Sequence, residues 1–535
     1  MVPIFSKLSW AVRWRFKHWK HTRRLERVAR EVERSAPAAQ TKPVILFNAS
    51  TRLRGLSLNA AFSMLTAWAL RLSGTPVVHY VCKAGMSRCV LGTSRDQVGK
   101  PPPCASCIQQ SNQIYRGAKV RWFQTGHDPD LARAIAFLSL SELVNYRRGG
   151  MPLGELVLPS LRWVLRRHTL EGDDSTRFLL RQYIASAWHI ANDFGKLLDE
   201  IQPAKVIVFN GTLYPEAAVR WAARKRGIPV ICHEVALRPY TGFFTTGDAT
   251  AYPIDIPQDF ELSSAQNQQL DEYLEQRFQG NFSMAGVRFW PEMKQLSPEF
   301  TQKIGQFKQV VPVFTNVIFD TSQGHANVVF PHMFAWLDAV LQIIQKHPET
   351  FFVIRAHPDE TRPGKESLES VAMWASRNEI NQLPNVQFVD SREYFSSYEL
   401  IQRSKFVMVY NSTIGLEASL IGAPVLCAGR ARFTQLPTVF FPQTSEAFRR
   451  QAEEFLAEEK LLAPKEHQHN ARRFLYYQLF KSSLPFGKFI EEDGIWRGYV
   501  RLKNFDLADL SPQKSPAVAA VLDGIFNDGN FLLEN

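Results

Sequence analysis

At 535 residues the chain is long for one domain and fits two or three. Its composition is that of a soluble globular protein. No apolar run is long and charge-free enough to span a bilayer; GLSLNAAFSMLTAWAL comes closest and reads as a buried helix. Of the net charge of +12, residues 1–42 carry +8, so the near-neutral remainder argues against a nucleic-acid-binding body.

Residues 1–42 read as a basic amphipathic tail and linker. Phe5, Leu8, Val12, Phe16 and Trp19 recur at three- and four-residue steps on one helical face. Arg13, Lys17, Lys20, Arg24 and Arg27 follow the same rhythm beside it, with Trp10 and Trp14 beyond. Aromatic plus basic is the chemistry of an interfacial helix, so residues 1–34 are expected to meet an anionic membrane surface. A helix docked on the protein's own body and a disordered basic arm remain the alternatives. SAPAAQT, Ser35–Thr41, reads as a linker.

Residues 43–262 open with the strand PVILFNAS, the loop TRLRGLS, an apolar helix and the strand TPVVHYVC, a β-α-β unit. Gly55 permits close backbone approach in the loop, and Arg52 and Arg54 face either an anionic ligand or solvent. Next come Cys82, Cys89, Cys104 and Cys107, spaced C-x6-C-x14-C-x2-C. The last pair can turn two thiolates onto one metal, and the four together suggest a structural metal site, zinc before an iron–sulfur cluster. The competing reading is four free cytosolic thiols. With Cys232 and Cys427 they make no secreted disulfide framework, and charges interrupt every early apolar run; the expected compartment is cytoplasmic. Residues 128–200 are helical in pattern. AKVIVFN, a helix and IPVICHE then restore the α/β rhythm, with His233 and Glu234 ending the last strand. A carboxylate at the carboxyl end of a parallel strand faces the ligand crevice and suits a general base; pairing with Arg238 is the structural alternative.

Residues 263–305 read as connecting helices, and residues 306–465 as a second α/β domain. There FFVIRA delivers Arg355 and His357 to a strand end, with Glu360 beside them. Arg355 is suited to gripping a diphosphate, and His357 to donating to the same group. KFVMVY is followed by Asn411-Ser412-Thr413-Ile414-Gly415 and the helix LEASLIG. A helix N-terminus after a small polar loop suits a phosphate, and Glu417, one turn in, a ribose diol. Glu417 would equally complement the helix dipole. Residues 466–535 are read as a C-terminal helical segment.

Two Rossmann-like domains facing a cleft, with a helical insertion and an N-terminal amphipathic helix, describe a GT-B-like α/β fold. NVIFD at 316–320, Trp336-Leu337, HPDE at 357–360, SSYEL at 396–400 and YNSTIGLEASLIGAPVLCAG resemble bacterial capsule and surface polysaccharide biosynthesis proteins, a group of glycosyltransferases. CHEVALRP at 232–239 is similar to the Glu-x-x-x-Arg-Pro turn of the capsule Kdo transferases. The resemblance implies transfer of a sugar from a nucleotide-sugar donor to a glycan or lipid-linked acceptor; the tail adds an expected place at the inner face of the plasma membrane, and Arg355, His357 and the helix terminus remove the need for a catalytic metal. The resemblance also implies that His357 contacts the donor phosphate, that Ser412, Thr413 and Gly415 line the phosphate site, that Glu417 holds the ribose, and that Glu234 serves as base on the acceptor side. A sugar-nucleotide 2-epimerase, a CDP-polyol phosphotransferase and a non-catalytic assembly factor are the other readings.

Overall fold

The computed structural model describes residues 4–49, 55–278, 295–364, 366–393, 396–494 and 498–534, with side chains from Phe16 onward. Arg52 and Arg54, and the side chains of Phe5, Leu8, Trp10, Val12, Arg13 and Trp14, lie outside the described residues. The chain forms two compact units. The first comprises Met1–Val164, Glu171–Tyr252 and Leu479–Asn535; the second comprises Leu165–Leu170 and Pro253–Gln478.

In chain order the strands are β1 (Val44–Asn48), β2 (Leu56–Ser57), β3 (Val77–Cys82), β4 (Lys119–Phe123), β5 (Lys205–Phe209), β6 (Val230–Val235) and β7 (Thr241–Thr245). The second unit holds β8 (Gln309–Phe314), β9 (Thr350–Arg355), β10 (Val386–Val389), β11 (Val407–Val409) and β12 (Val425–Cys427). After it come β13 (Leu484–Pro485), β14 (Ile490–Glu492) and β15 (Tyr499–Leu502).

The main sheet of the first unit runs β13-β7-β6-β5-β1-β3-β4. Strands β6, β5, β1, β3 and β4 are parallel, while β7 pairs antiparallel with β6 and β13 antiparallel with β7. VILFN and VVHYVC are buried at every position, as expected for parallel strands covered on both faces. The helix α2 (Leu58–Leu72) starts at Ser57, whose hydroxyl accepts the Ala60 N–H. It is buried along most of its length, as its composition predicts, and no helix among the described residues is long and apolar enough to cross a membrane.

The tail is not a separate element. Helix α1 (Ile4–Ser35) buries Leu25, Val28, Ala29 and Val32 in the same core as Phe62, Trp68 and Leu484. Those four recur at helical steps, so the second half of the tail docks on the body, while Phe16 (54% exposed) and Trp19 (51%) stay in solvent. The boundary expected at residue 42 therefore separates this helix from the unit whose core it joins.

The expected C-terminal helical segment, 466–535, also differs. Helix Lys465–Tyr476 belongs to the second unit, whereas 479–535 belongs to the first and supplies β13, β14 and β15 before a final helix, Pro516–Phe526. The short aromatic and aliphatic runs around Leu484 and Ile490 pair with the open edge at β7 and with β2 through β15. An open edge presents unpaired backbone groups, which a terminal segment can satisfy.

The sheet of the second unit runs β10-β9-β8-β11-β12, all parallel. The expected connecting helices belong to this unit: Ser264–Phe278 and Pro298–Ile304 both pack within it.

Val28 is 5% exposed in the core and Phe16 is half in solvent. Val28→Asp should lower the unfolding free energy by roughly 3 kcal/mol, because it buries an uncompensated charge. Phe16→Asp should stay within about 0.5 kcal/mol of the parent. Urea titration of both variants checks the docking; equal small effects would contradict it.

Candidate active site

Each sheet reverses its winding once. In the second unit the chain starts at β8, builds outward through β9 and β10, then returns to β11 on the other side of β8. The loops after β8 and β11 therefore leave in opposite directions, opening a crevice at their carboxyl ends. Asn316 follows β8 and Asn411 follows β11, and the Asn316 amide donates to Asn411 Oδ1 across the gap at 2.7 Å. Gln323 donates to the same oxygen at 3.3 Å.

Directly after Asn411 begins the helix Ile414–Ile421. Its N-cap residue, Thr413, makes no side-chain capping bond to it. First-turn N–H groups without a side-chain cap, at the positive end of the dipole, make an anion site. Ser412 is buried and Thr413 half-buried beside them. Gly415 is required by packing: a Cβ there would stand 2.9 Å from Val409 Cγ2 and 3.1 Å from Phe433 Cζ.

β9 lies on the other side of β8 and delivers His357. Its Nδ1 accepts the Asp359 N–H at 3.1 Å, capping the turn Pro358–Thr361. Burial lowers the His357 pKa, against the pull of Asp359 and Asp320. The neutral ring must then carry its proton on Nε2, which makes that nitrogen a donor.

Three expected ligands are differently employed. Glu417, the expected ribose ligand, is 6% exposed, and both its oxygens are engaged: Arg277 donates to Oε1 and the Tyr398 hydroxyl to Oε2, each at 2.5 Å. Burial opposes the charge on Arg277, but Glu417 and the two tyrosines Tyr273 and Tyr398 hold its pKa above the usual value. The helix read as a connection thus supplies the counter-ion. Arg355, 4% exposed, donates to Ser397 Oγ at 2.5 Å, and burial lowers its pKa to about 10. It is buried at the end of β9 and bonded to Ser397 rather than presented to solvent. Glu360, 2% exposed, accepts the Val371 N–H at 3.1 Å at the start of the helix Val371–Arg377.

The first unit repeats the plan. Its winding reverses between β1 and β5, and Asn48 and Asn210 stand at their ends. Asn210 adopts a left-handed φ of 60°, and its Oδ1 accepts the Thr212 and Leu213 N–H groups. Its amide donates to Glu234 Oε2 at 2.8 Å. Asn59 and the Val235 N–H donate to Glu234 Oε1 at 3.2 and 2.8 Å. The carboxylate at the end of β6 is thus held by three donors, while the Arg238 guanidinium lies over the Phe480 ring. Nearby Glu216 is fully buried, and desolvation, with Glu234 adding, pushes it up to about 8.

Cys82, Cys89, Cys104 and Cys107 come together on the wall of one cavity, although 22 residues separate Cys82 from Cys104. All are free thiols. Among the described residues no three His, Cys, Asp or Glu side chains are grouped to hold a metal ion.

Asn316 and Asn411 were read only as parts of motifs, and Gln323, Asn59 and Asn210 were not singled out from sequence. A signal existed: the four strands flanking the two reversals end LFN, VFN, FTN and VYN.

Residues 294–478 match the family described as capsule polysaccharide biosynthesis protein. NVIFD, HPDE and YNSTIGLEASLIGAPVLCAG all fall inside that stretch. No curated protein matches. Among solved structures, the beta Kdo 2,4 transferase KpsC of Thermosulfurimonas dismutans is 12% identical, covering 52% of this chain and 80% of its own, with a TM-score of 0.34. The UDP-GlcNAc 2-epimerase of Neisseria meningitidis, bound to UDP-GlcNAc, is 12% identical over 82% of this chain and 99% of its own, with a TM-score of 0.23. A calicheamicin glycosyltransferase is 12% identical over 81% and 94%, with a TM-score of 0.24. Structural likeness at this level carries no argument about ligand or reaction.

Burial pushes the Glu360 carboxyl up to about 8, against the Val371 N–H and with help from Asp390. An acid raised in the folded state costs stability as pH rises. Below an unfolded pKa of 4.5 both states are protonated; between there and about 8 only the unfolded state ionises, and above that the loss is complete. Glu360→Gln should therefore gain stability over the parent between pH 5 and pH 8, by on the order of 2 kcal/mol. Thermal melts at the two pH values check it; a pH-independent difference would refute it.

Proposed function

We propose that this protein transfers a sugar from a nucleotide-sugar donor to a glycan or lipid-linked acceptor in capsule or surface polysaccharide synthesis. The observation that carries the reading is the helix N-terminus at Ile414, without a side-chain cap at the winding reversal, inside the stretch that matches the capsule family. Negative charge develops on the departing diphosphate. The first-turn N–H groups, the Thr413 hydroxyl and His357 Nε2–H are the donors suited to it, with Arg355 as a buried positive charge behind them. These donors take the place of a divalent cation, so chelation should leave the rate unchanged. Asn316, Asn411 and Gln323 present amides for sugar or phosphate oxygens. The buried Arg277–Glu417–Tyr398 group holds the helix in position rather than touching the ribose.

Glu234 is the proposed base. Asn59 and Asn210 fix its carboxylate at the end of β6. The acceptor oxygen bonds to the anomeric carbon, the bond from that carbon to the diphosphate oxygen breaks, and the acceptor proton passes to Glu234.

A thermal-shift panel of UDP, GDP, CMP, CDP and ADP should find one nucleotide that stabilises the protein. His357→Ala should weaken that shift and reduce transfer about 100-fold. Glu234→Gln should lower transfer while keeping the shift. Stabilisation by none of the nucleotides would overturn the reading, and conversion of a sugar nucleotide without acceptor would move it to an epimerase.

Peripheral contact with the inner face of the plasma membrane is part of the same reading. Phe16 and Trp19 stack in solvent with centroids 6.0 Å apart, with Lys20 over one ring and Arg23 over the other. Aromatic rings among cations suit the headgroup layer of anionic lipid. Phe16→Ser with Trp19→Ser should reduce sedimentation with phosphatidylglycerol vesicles several-fold and leave neutral vesicles unaffected. Undiminished sedimentation would remove this helix from the interface.

A further inference from the structure

We propose that Cys82, Cys89, Cys104 and Cys107 bind a four-iron, four-sulfide cluster. Cys82 ends β3, Cys89 lies in the following loop, and Cys104 and Cys107 open the helix α3 (Cys104–Ile114). The chain folds so that all four line one cavity, whose remaining wall is apolar, including Met86, Leu91, Pro103 and Ile108. An apolar pocket presenting four thiols is the surrounding that such a cluster takes.

The backbone is arranged around the sulfurs. Cys82-Lys83-Ala84-Gly85 and Cys89-Val90-Leu91-Gly92 form two like turns. In each the glycine N–H donates to the cysteine sulfur three residues back, at 3.2 Å. Neither glycine tolerates a side chain. A Cβ at Gly85 would stand 2.1 Å from the Phe123 ring, and one at Gly92 would stand 2.8 Å from Cys89 Sγ and 2.9 Å from Pro102 Cβ. N–H···S bonds stabilise thiolates and tune a cluster. Cys104 and Cys107 sit in the first turn of α3, where the helix dipole favours the anionic sulfur.

The spacing favours a cluster over a single zinc. Zinc draws its ligands to about 2.3 Å from one point, and the described side chains form no group of three or more that could hold one ion. Yet every pair among the four cysteines is near enough to interact electrostatically. Four thiols around one cavity fit a cube of iron and sulfide, with each thiol releasing its proton and binding one iron. The assignment stands apart from the transferase reading.

The test is metal analysis of the whole chain, purified without oxygen and then supplied with ferrous iron and sulfide. The expected result is about four iron and four acid-labile sulfide per chain, with a visible charge-transfer band that dithionite bleaches. Cys104→Ser with Cys107→Ser should lose the band and keep the far-ultraviolet circular dichroism. Cys89→Ser should leave a three-iron form detectable by paramagnetic resonance. One zinc per chain without sulfide, or a folded chain that takes up no iron, would overturn the proposal; wild-type metal content decides even where a variant fails to fold.

Discussion

Right-handed crossover connections constrain everything else in this chain. A parallel strand pair joined by a helix can be wound in one hand only, so a sheet with helices on both faces must start in the middle and reverse. Both units do this, at β1/β5 and at β8/β11. Each reversal leaves two strand ends that no crossover can cover. Asparagine stands at all four of them, and its short amide can satisfy the exposed backbone or reach across the gap. Asn316 and Asn411 do the second; Asn210 does the first and also holds Glu234.

Beneath the reversal in the second unit the polar groups are structural. Glu417 in the first turn of its helix complements the dipole, but at 6% exposure its charge needs closer compensation, which Arg277 and Tyr398 provide. Removing one partner of such a buried pair leaves an uncompensated charge and costs several kcal/mol, whereas the intact pair adds little net stability. Its contribution is to fix where the helix begins, and with it the direction of the N–H groups at Ile414. Arg355 and Ser397 brace β9 in the same way, and Glu360 holds the turn that presents His357. The polar layer that meets solvent is thus built on a second polar layer that does not.

The existence of the strands at FFVIRA and VILFN was legible because continuous apolar runs have few alternatives, whereas strand order was not read from them. His357 and the Ser412–Gly415 loop were legible because both follow such runs. The roles of Glu417, Arg355 and Glu360 were not, since a charged residue beside a loop reads alike whether it faces solvent or the core. Burial is set by helix Ser264–Phe278, more than a hundred residues away in sequence from Glu417. The docking of α1 was hidden for a related reason. Its buried positions, Leu25 to Val32, are small and sparse beside the conspicuous aromatic stripe at its start, and only the facing core explains them. The asparagines at the strand ends were visible but carry no charge, and a search for titratable groups passes over them.

The proposed cluster falls where the first unit has little other constraint. Residues 83–103 contain no helix or strand, and a stretch longer than about 12–15 residues without regular structure is uncommon within a compact domain. Few of its residues reach the core; Met86 and Val90 are the buried large apolar ones. Such a segment cannot offset its ordering entropy by burial alone and needs another constraint. Four thiolates from β3, the loop and α3 closing on one cluster would supply it, as metals do for small domains with little core. The cavity they line includes Ala49, the residue after Asn48, so the constraint reaches the loop at the winding reversal of this sheet. The cluster would then hold the carboxyl edge of β1 and β3 rigid, on the same side of the sheet as Glu234, without taking part in the transfer itself.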